Sequence, residues 1–242
     1  MVRVAAIELP ARWGDPRAGL EDIDALLARG PACDLALVPE AALTGYLSAT
    51  GDADLRPFAE AIDGPTTRAL GDLARKHRTC IAGPLILRDG ARYYNALVVV
   101  DAAGGSIACY RKRHPWFPET WATPGEDPLP SFSVAGARFT ACICFDVHFV
   151  AAESSDALRA ADVLLFPSAW VEEGDDSRES ILVAMARDVG IAIVNANWGP
   201  GEPRAPGQGG SMIVASDGEI LARATSAHDV ATRIDAAIAP RR

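Results

Sequence analysis

Strand-like and helix-like segments alternate along most of the chain, and this alternation constrains the fold more than any other feature. Val2–Glu8 alternates apolar and polar residues as a strand does, whereas Gly19–Arg29 carries apolar residues at helical spacing. Tyr93–Asp101 and Ser106–Tyr110 are strand-like and are separated by Gly104-Gly105, which predicts an antiparallel hairpin. A purely parallel doubly wound sheet would contain no such hairpin, so the sequence predicts an α/β fold with mixed sheets. Further strands are predicted at Asp34–Pro39, Thr79–Leu87, Ala137–Cys144, Asp162–Pro167, Ile191–Ala196, Ser211–Ala215, Glu219–Thr225 and Val230–Asp235, and further helices at Thr66–His77, Ala151–Ala160 and Ser177–Val189.

The chain is expected to form one domain over residues 1–242. It shows no break in composition and no repeat with a period of about 20–50 residues. Hydrophobic residues make up 49% of the chain, enough for a sizeable core, and the net charge is -9. Such a surface repels phosphate backbones, so nucleic acid is not an expected partner.

The expected compartment is the cytoplasm. Met1–Pro10 lacks the charged region, apolar segment and cleavage site of a secretory signal, and no run of about 18 apolar residues predicts a membrane span. The 5 cysteines are irregularly spaced, which is typical of reduced thiols rather than of a disulfide framework.

Three polar residues stand at the ends of predicted strands. Glu40 follows Leu35–Pro39, Lys112 follows Ser106–Tyr110, and Cys144 ends its own strand. Strand ends in α/β folds are where substrates bind, because rigid elements direct side chains into a shared crevice. Lys112 is also unusual in its type, since only 2 of the 23 basic residues are lysines. An ammonium is a compact point charge that the planar fork of arginine cannot replace.

The order and flanks of these residues resemble the nitrilase superfamily, the carbon–nitrogen hydrolases. The resemblance covers nearly the whole chain and rests on an ordered set of motifs, none of them specific alone. The set is Pro39-Glu40 with Gly45-Tyr46, Tyr110-Arg111-Lys112 with His114, Thr123-Pro124-Gly125-Glu126, Cys144-Phe145-Asp146, Phe166-Pro167-Ser168-Ala169-Trp170, Asn195-Ala196-Asn197 with Gly199, and Gly210-Ser211-Met212-Ile213 with Asp217-Gly218.

The resemblance implies a four-layer α-β-β-α sandwich and a metal-free, cofactor-free amide hydrolase. Cys144 would be the nucleophile that forms a thioester, and Glu40 would be the general base. Lys112 would favour the thiolate and stabilise the oxyanion together with the backbone N–H of Phe145. Glu119 resembles an auxiliary glutamate of the family. Family members pair through the helices after the nucleophile, so a homodimer or small homo-oligomer is expected.

The sequence departs from the family pattern just after the nucleophile. His148 stands where relatives commonly carry arginine, and the following Pro-Glu pair is missing unless Glu153 replaces its glutamate. Trp116 and Trp170 fall in predicted loops near the site and would suit an apolar or aromatic acyl pocket. Asn197 belongs to a motif near the site and is a candidate for substrate binding.

Several alternatives remain open from the sequence. Phe145-Asp146 favours amides, with a nitrile or an N-carbamoyl substrate as the alternative. Cys144 and His148 could form a Cys–His pair if they begin a helix, and Cys142 could join them at a metal. The thioester could pass to an amine instead of water, or the domain could bind a ligand or partner without catalysis.

Overall fold

A computed structural model describes residues 1–172 and 177–241, and its strands form two six-stranded sheets. The strands are β1 (Val2–Glu8), β2 (Leu35–Leu37), β3 (Cys80–Asp89), β4 (Arg92–Val100), β5 (Ser106–Arg111), β6 (Phe132–Val134), β7 (Ala137–Ala141), β8 (Val163–Ser168), β9 (Ala192–Asn197), β10 (Met212–Val214), β11 (Ile220–Arg223) and β12 (Thr232–Ile238). The helices are α1 (Pro16–Arg29), α2 (Pro65–His77), α3 (Val147–Glu153), α4 (Ser155–Ala160) and α5 (Arg178–Val189).

Both sheets are mixed, as the predicted hairpins require. The first has the order β12-β1-β2-β3-β4-β5, and the second has the order β11-β10-β9-β8-β7-β6. β1, β2 and β3 are parallel, whereas β4, β5 and β12 pair antiparallel with their neighbours. In the second sheet β7, β8 and β9 are parallel, and β6, β10 and β11 are antiparallel.

The alternation of β1 divides its side chains between two cores. Val4 and Ala6 face the second sheet and pack in the same cluster as Ile193. Ala5 and Ile7 point the other way, into a separate cluster that includes Ile23 of α1 and Leu70 of α2. Helices α4 and α5 cover the second sheet through side chains such as Leu158 and Leu182. The predicted four-layer α-β-β-α sandwich is confirmed.

The chain differs from the predicted elements around the nucleophile. β7 ends at Ala141 rather than Cys144, because Cys144 has a φ of 46° that a strand cannot contain. The predicted helix Ala151–Ala160 is two helices, α3 and α4, separated at Ser154, where φ is −140°. The short strand β6 was not predicted. Within the described residues, no helix has the length and apolar character needed to cross a membrane.

Candidate active site

Glu40, Lys112 and Cys144 come together where strands of both sheets end. Glu40 follows β2 and Lys112 follows β5 in the first sheet, whereas Cys144 follows β7 in the second. Lys112 Nζ donates a hydrogen bond to Glu40 Oε1 at 2.7 Å, and both side chains are 0% exposed. The backbone N–H of Ala169, just after β8, donates to Glu40 Oε2 at 2.8 Å. Glu40 is therefore held by groups from both sheets.

Glu119 completes a buried cluster of two carboxylates around one ammonium. Lys112 Nζ donates to Glu119 Oε1 at 2.5 Å, and the hydroxyl of Tyr46 donates to the same oxygen at 2.8 Å. Asn95 of β4 links the two carboxylates, since its Nδ2 donates to Glu40 at 2.7 Å and to Glu119 at 3.2 Å. Asn95 was not predicted from the sequence. The structure brings Glu119 into the site and fixes it with three donors.

Asp146 fixes the backbone turn that presents Cys144. Its Oδ2 accepts from the backbone N–H of Ile143 at 3.0 Å and from the hydroxyl of Tyr110 at 2.8 Å. Its Oδ1 accepts from both the backbone N–H and Nδ1 of His114, at 2.8 and 2.9 Å. A non-glycine residue with positive φ, as at Cys144, persists only where the surroundings enforce it. The role of Asp146 was missed, although the Cys-x-Asp spacing was its signal.

Lys112 favours the thiolate of Cys144, as predicted, but burial and Glu40 have larger opposing effects on the thiol pKa. Burial raises the pKa of the Cys144 thiol well above its usual value, and the Glu40 carboxylate raises it further. Lys112 opposes this effect but does not overcome it, because Glu40 and Glu119 flank the single ammonium. These shifts favour the neutral thiol of Cys144 over the thiolate, so attack by its sulfur needs a base.

The pKa values of Lys112 and Glu119 are raised as well. Burial on its own lowers the pKa of Lys112, but Glu40 and Glu119 outweigh it and raise that pKa above the ordinary value. Burial raises the pKa of Glu119, and the nearby Glu40 adds to this, with Lys112 opposing both. Lys112 therefore remains an ammonium throughout the neutral range.

The residues predicted after the nucleophile lie at the edge of the site. His148 is exposed, and its ring centre lies 5.2 Å from that of the half-buried Phe145 and 5.9 Å from that of Trp170. Trp170 is 7% exposed and packs mainly in the core. Glu153 accepts from Arg113 Nη2 at 2.6 Å, which ties the end of α3 to the loop after β5.

Asn197 is saturated by protein groups. Its Oδ1 accepts from Ser168 Oγ at 2.9 Å and from the backbone N–H of Trp170 at 3.0 Å. Its Nδ2 donates to the carbonyls of Gly207 and Gly209 at 2.8 and 2.9 Å. Asn197 therefore holds the glycine-rich loop against the end of β8.

Arg178 supports the same loop from the start of α5. Its Nη2 donates to the carbonyls of Gly209 and Gly210 at 2.7 and 2.8 Å. Burial lowers the pKa of this guanidinium to about 10, and Glu8 opposes the shift. Sequence reasoning did not identify Arg178, since an arginine at a helix start carries no local signal of this role.

A groove of about 580 Å³ opens beside the cluster. Its walls are mainly aromatic and apolar, and they include Tyr46, Leu47, Trp116, Phe117, Val171 and Trp198. Trp116, which the sequence placed near the site, is one of these walls. Within residues 1–172 and 177–241, no three His, Cys, Asp or Glu side chains are grouped as a metal ion would require.

The site combines a cysteine on a tight turn with a buried carboxylate and a buried ammonium, and the fold is an α-β-β-α sandwich. Together these features define a cysteine-dependent hydrolase. The sequence model of the carbon-nitrogen hydrolase family matches residues 3–238. The chain belongs to the carbon–nitrogen hydrolase family. The resemblance found in the sequence, and the carbon–nitrogen hydrolase function it implies, are thereby confirmed.

Three relatives illustrate the family. A protein of Pseudomonas protegens described as a hydrolase in the pqqF 5' region is 30% identical over 230 residues, which are 92% of this chain and 79% of the relative. The 2-oxoglutaramate amidase of Bacillus subtilis is 24% identical over 225 residues, or 90% of this chain and 85% of that protein. A mutant amidase of Nesterenkonia sp. AN1 is similar in structure, with a TM-score of 0.78, 25% identity and coverage of 97% of this chain and 90% of the amidase. That structure carries the acetamide moiety of fluoroacetamide on its active-site cysteine.

Proposed function

We propose that this protein hydrolyses linear amides through a thioester on Cys144, with Glu40 as the base and Lys112 as the oxyanion stabiliser. The observation that carries the proposal is the ammonium of Lys112 held between Glu40 and Glu119, next to a cysteine on a tight turn. The cysteine-linked acetamide in the Nesterenkonia amidase supports the same role for Cys144.

The first half of the reaction forms the thioester. Cys144 Sγ attacks the carbonyl carbon while its proton passes to Glu40, as the raised pKa of the thiol requires. Lys112 uses two of its three N–H donors on carboxylates, so the third is free to meet the developing oxyanion. The backbone N–H of Phe145, at the start of a 3-10 turn, supplies a second donor. The C–N bond then breaks, Glu40 gives its proton to the nitrogen, and the amine leaves.

The second half hydrolyses the thioester. Glu40 takes a proton from water as the water oxygen attacks the acyl carbon. The C–S bond then breaks, and the sulfur of Cys144 recovers the proton from Glu40. One water is consumed, and the carboxylic acid is released. Glu119, Tyr46 and Asn95 hold Glu40 and Lys112 in place through both halves.

The test is release of ammonia from a panel of primary amides by wild-type protein, Cys144→Ala and Cys142→Ala. We expect Cys144→Ala to lower kcat at least about 100-fold with an unchanged circular dichroism spectrum. Cys142 is fully buried two residues away, and its replacement should leave kcat within a few fold. Intact-mass measurement during turnover should find the acyl group on wild-type protein only. Equal activity of the two variants would remove the covalent mechanism.

We further propose that the enzyme works in the cytoplasm, as a single domain that forms a homodimer through α3. The free thiols among the described cysteines support a reducing compartment. The exposed residue His148 and the half-buried residue Phe149 support α3 as a contact surface. Sedimentation of wild-type protein and His148→Glu tests the dimer: the variant should sediment as a monomer. A monomeric wild-type protein would contradict it.

A further inference from the structure

Among the described residues, the walls of the groove beside the catalytic cluster carry no charged side chain. None of the residues that line it is Asp, Glu, Lys, Arg or His. Tyr46 is the only ionisable residue among the described wall residues, and its hydroxyl donates to Glu119 in the catalytic cluster. Burial raises the pKa of that hydroxyl well above its usual value, so it stays neutral. A charged substrate group in this groove would find no ionic partner among these described wall residues.

The groove borders the catalytic cluster at Tyr46. Tyr46 forms part of its wall and also contacts Glu119. Val171, on another wall, is two residues beyond Ala169, whose backbone N–H is bonded to Glu40. Trp198 packs edge-to-face on Tyr46 with ring centres 5.9 Å apart, and its Nε1 donates to the carbonyl of Trp170 at 2.8 Å. The groove walls nearest the cluster, Tyr46 and Trp198, are therefore fixed by hydrogen bonds.

The mouth of the groove exposes large apolar groups. Phe117 is 76% exposed, the highest value among the exposed large hydrophobic residues. Trp116, beside it, is half-buried and also lines the groove. Exposed apolar surface of this kind around a concave site is typical of ligand recognition. The groove suits a flat hydrophobic group more than a small or charged one.

We propose that the substrate is the primary amide of an uncharged, hydrophobic acyl chain that ends in a ring, with the ring in this groove. The proposal rests on the amidase function proposed above and adds its substrate class. The leaving group of a primary amide is ammonia, which needs almost no room, so a groove of about 580 Å³ serves the acyl side. Carboxylate or ammonium groups in the acyl chain are disfavoured, because burying them without a partner is costly.

The experiment compares kcat/KM for 3-phenylpropanamide, propanamide, succinamate, 4-aminobutanamide and N-benzylacetamide. We expect 3-phenylpropanamide to exceed propanamide by about 10- to 100-fold, from burial of the ring. It should exceed the carboxylate and ammonium substrates by at least about 100-fold. Faster hydrolysis of N-benzylacetamide would place the ring on the leaving group and overturn the proposal.

A charged side chain placed in the groove tests whether the substrate ring binds there. Leu47→Lys puts an ammonium on the groove wall. This variant should have a lower kcat/KM for 3-phenylpropanamide and a higher kcat/KM for succinamate. The ratio of the two kcat/KM values should therefore fall at least about tenfold. The matched control is Ile107→Lys on strand β5, where the isoleucine is 41% exposed and lies outside the groove. The control should keep the wild-type ratio.

The outcomes separate the two proposals. Hydrolysis of all five amides at similar kcat/KM, or a preference for succinamate in the wild type, overturns the substrate class and leaves the amidase function standing. Equal ratios in Leu47→Lys and Ile107→Lys overturn the assignment of the groove. If no amide is hydrolysed and fluoroacetamide leaves Cys144 unmodified, the amidase function fails and the substrate class fails with it.

Discussion

The two lysines of this chain allow a direct comparison of a buried and an exposed ammonium. Lys112 is 0% exposed and bonds two carboxylates that are 0% and 1% exposed. Lys76 is 59% exposed and pairs with Asp24 at 2.7 Å. Replacing Lys112 by methionine keeps a similar length but leaves two buried carboxylates without their cation. Replacing Lys76 in the same way removes a solvated ion pair.

The expected losses of stability in Lys112→Met and Lys76→Met differ severalfold. Removing one partner from a buried ion pair costs about 3–5 kcal/mol, because the remaining charge stays buried and uncompensated. In a protein of this size each kcal/mol lowers Tm by about 2–4 °C. Lys112→Met should therefore lower Tm by about 6–20 °C. Lys76→Met should cost at most about 1 kcal/mol, since exposed pairs are screened by water and salt.

The loss of folding stability in Lys112→Met should also depend on pH in a defined direction. Burial already raises the pKa of Glu119, and removal of Lys112 takes away the group that opposes this shift. A carboxyl with a folded-state pKa above its unfolded value of about 4.3 contributes full stability below that value and loses it as pH rises through the folded pKa. The deficit of Lys112→Met is therefore largest at neutral pH and shrinks as pH falls towards about 5.

Urea unfolding at pH 7.5 and 5.0, followed by circular dichroism, measures both effects. Lys112→Met combined with Glu119→Gln should recover part of the stability at pH 7.5, because the second change removes one of the two facing charges. Equal losses in Lys112→Met and Lys76→Met would refute the buried cluster. A deficit that grows on acidification would refute the assigned direction of the Glu119 shift.

Three further predictions follow from the contacts around the cluster. Asp146→Asn should lower kcat for amide hydrolysis at least about tenfold, because the side-chain nitrogen of asparagine cannot accept the hydrogen bonds that fix the turn at Cys144. An unchanged kcat would contradict this role of Asp146. Tyr46→Phe should cost about 1–3 kcal/mol in urea unfolding, because Glu119 loses a buried donor, and a loss below about 0.5 kcal/mol would count against that contact. The rate at which iodoacetamide alkylates Cys144, measured by peptide mass spectrometry, should still increase above about pH 9, because the pKa of the thiol is raised. A rate that reaches a plateau near neutral pH would instead indicate a preformed thiolate.

The catalytic candidates were accessible from the sequence because each follows a strand and has distinctive neighbours. Glu40, Lys112 and Cys144 were selected by their order and flanks, and the structure brings Glu40 and Lys112 within 2.7 Å. Asn95 could not be found in this way, because it lies inside the apolar strand β4 with no turn or motif beside it. Its amide reaches both carboxylates only through the register of β4 with β3 and β5.

The limits of prediction near the nucleophile have a similar cause. Ala137–Cys144 reads as one strand because hydrophobic periodicity carries no information on the φ of a single residue. The turn at Cys144 depends instead on Asp146, which bonds Ile143 in its own turn and also Tyr110 and His114 in and just after β5. Such a conformation is set by tertiary contacts, so sequence periodicity alone missed the end of the strand. The stacking of two sheets was likewise expected from the family resemblance rather than from the alternation of elements.

The position of the site explains why the fold needs two sheets to perform the chemistry. Glu40 and Lys112 belong to the first sheet, whereas Cys144 and the backbone N–H of Ala169 belong to the second. Proton transfer from thiol to carboxylate operates only at hydrogen-bond distance. The packing between the sheets, with Val4 and Ile193 in one core, therefore sets the distance between Glu40 and Cys144. Because protein interiors are close-packed, a small displacement of one sheet would separate the proposed base from the proposed nucleophile before the protein unfolds.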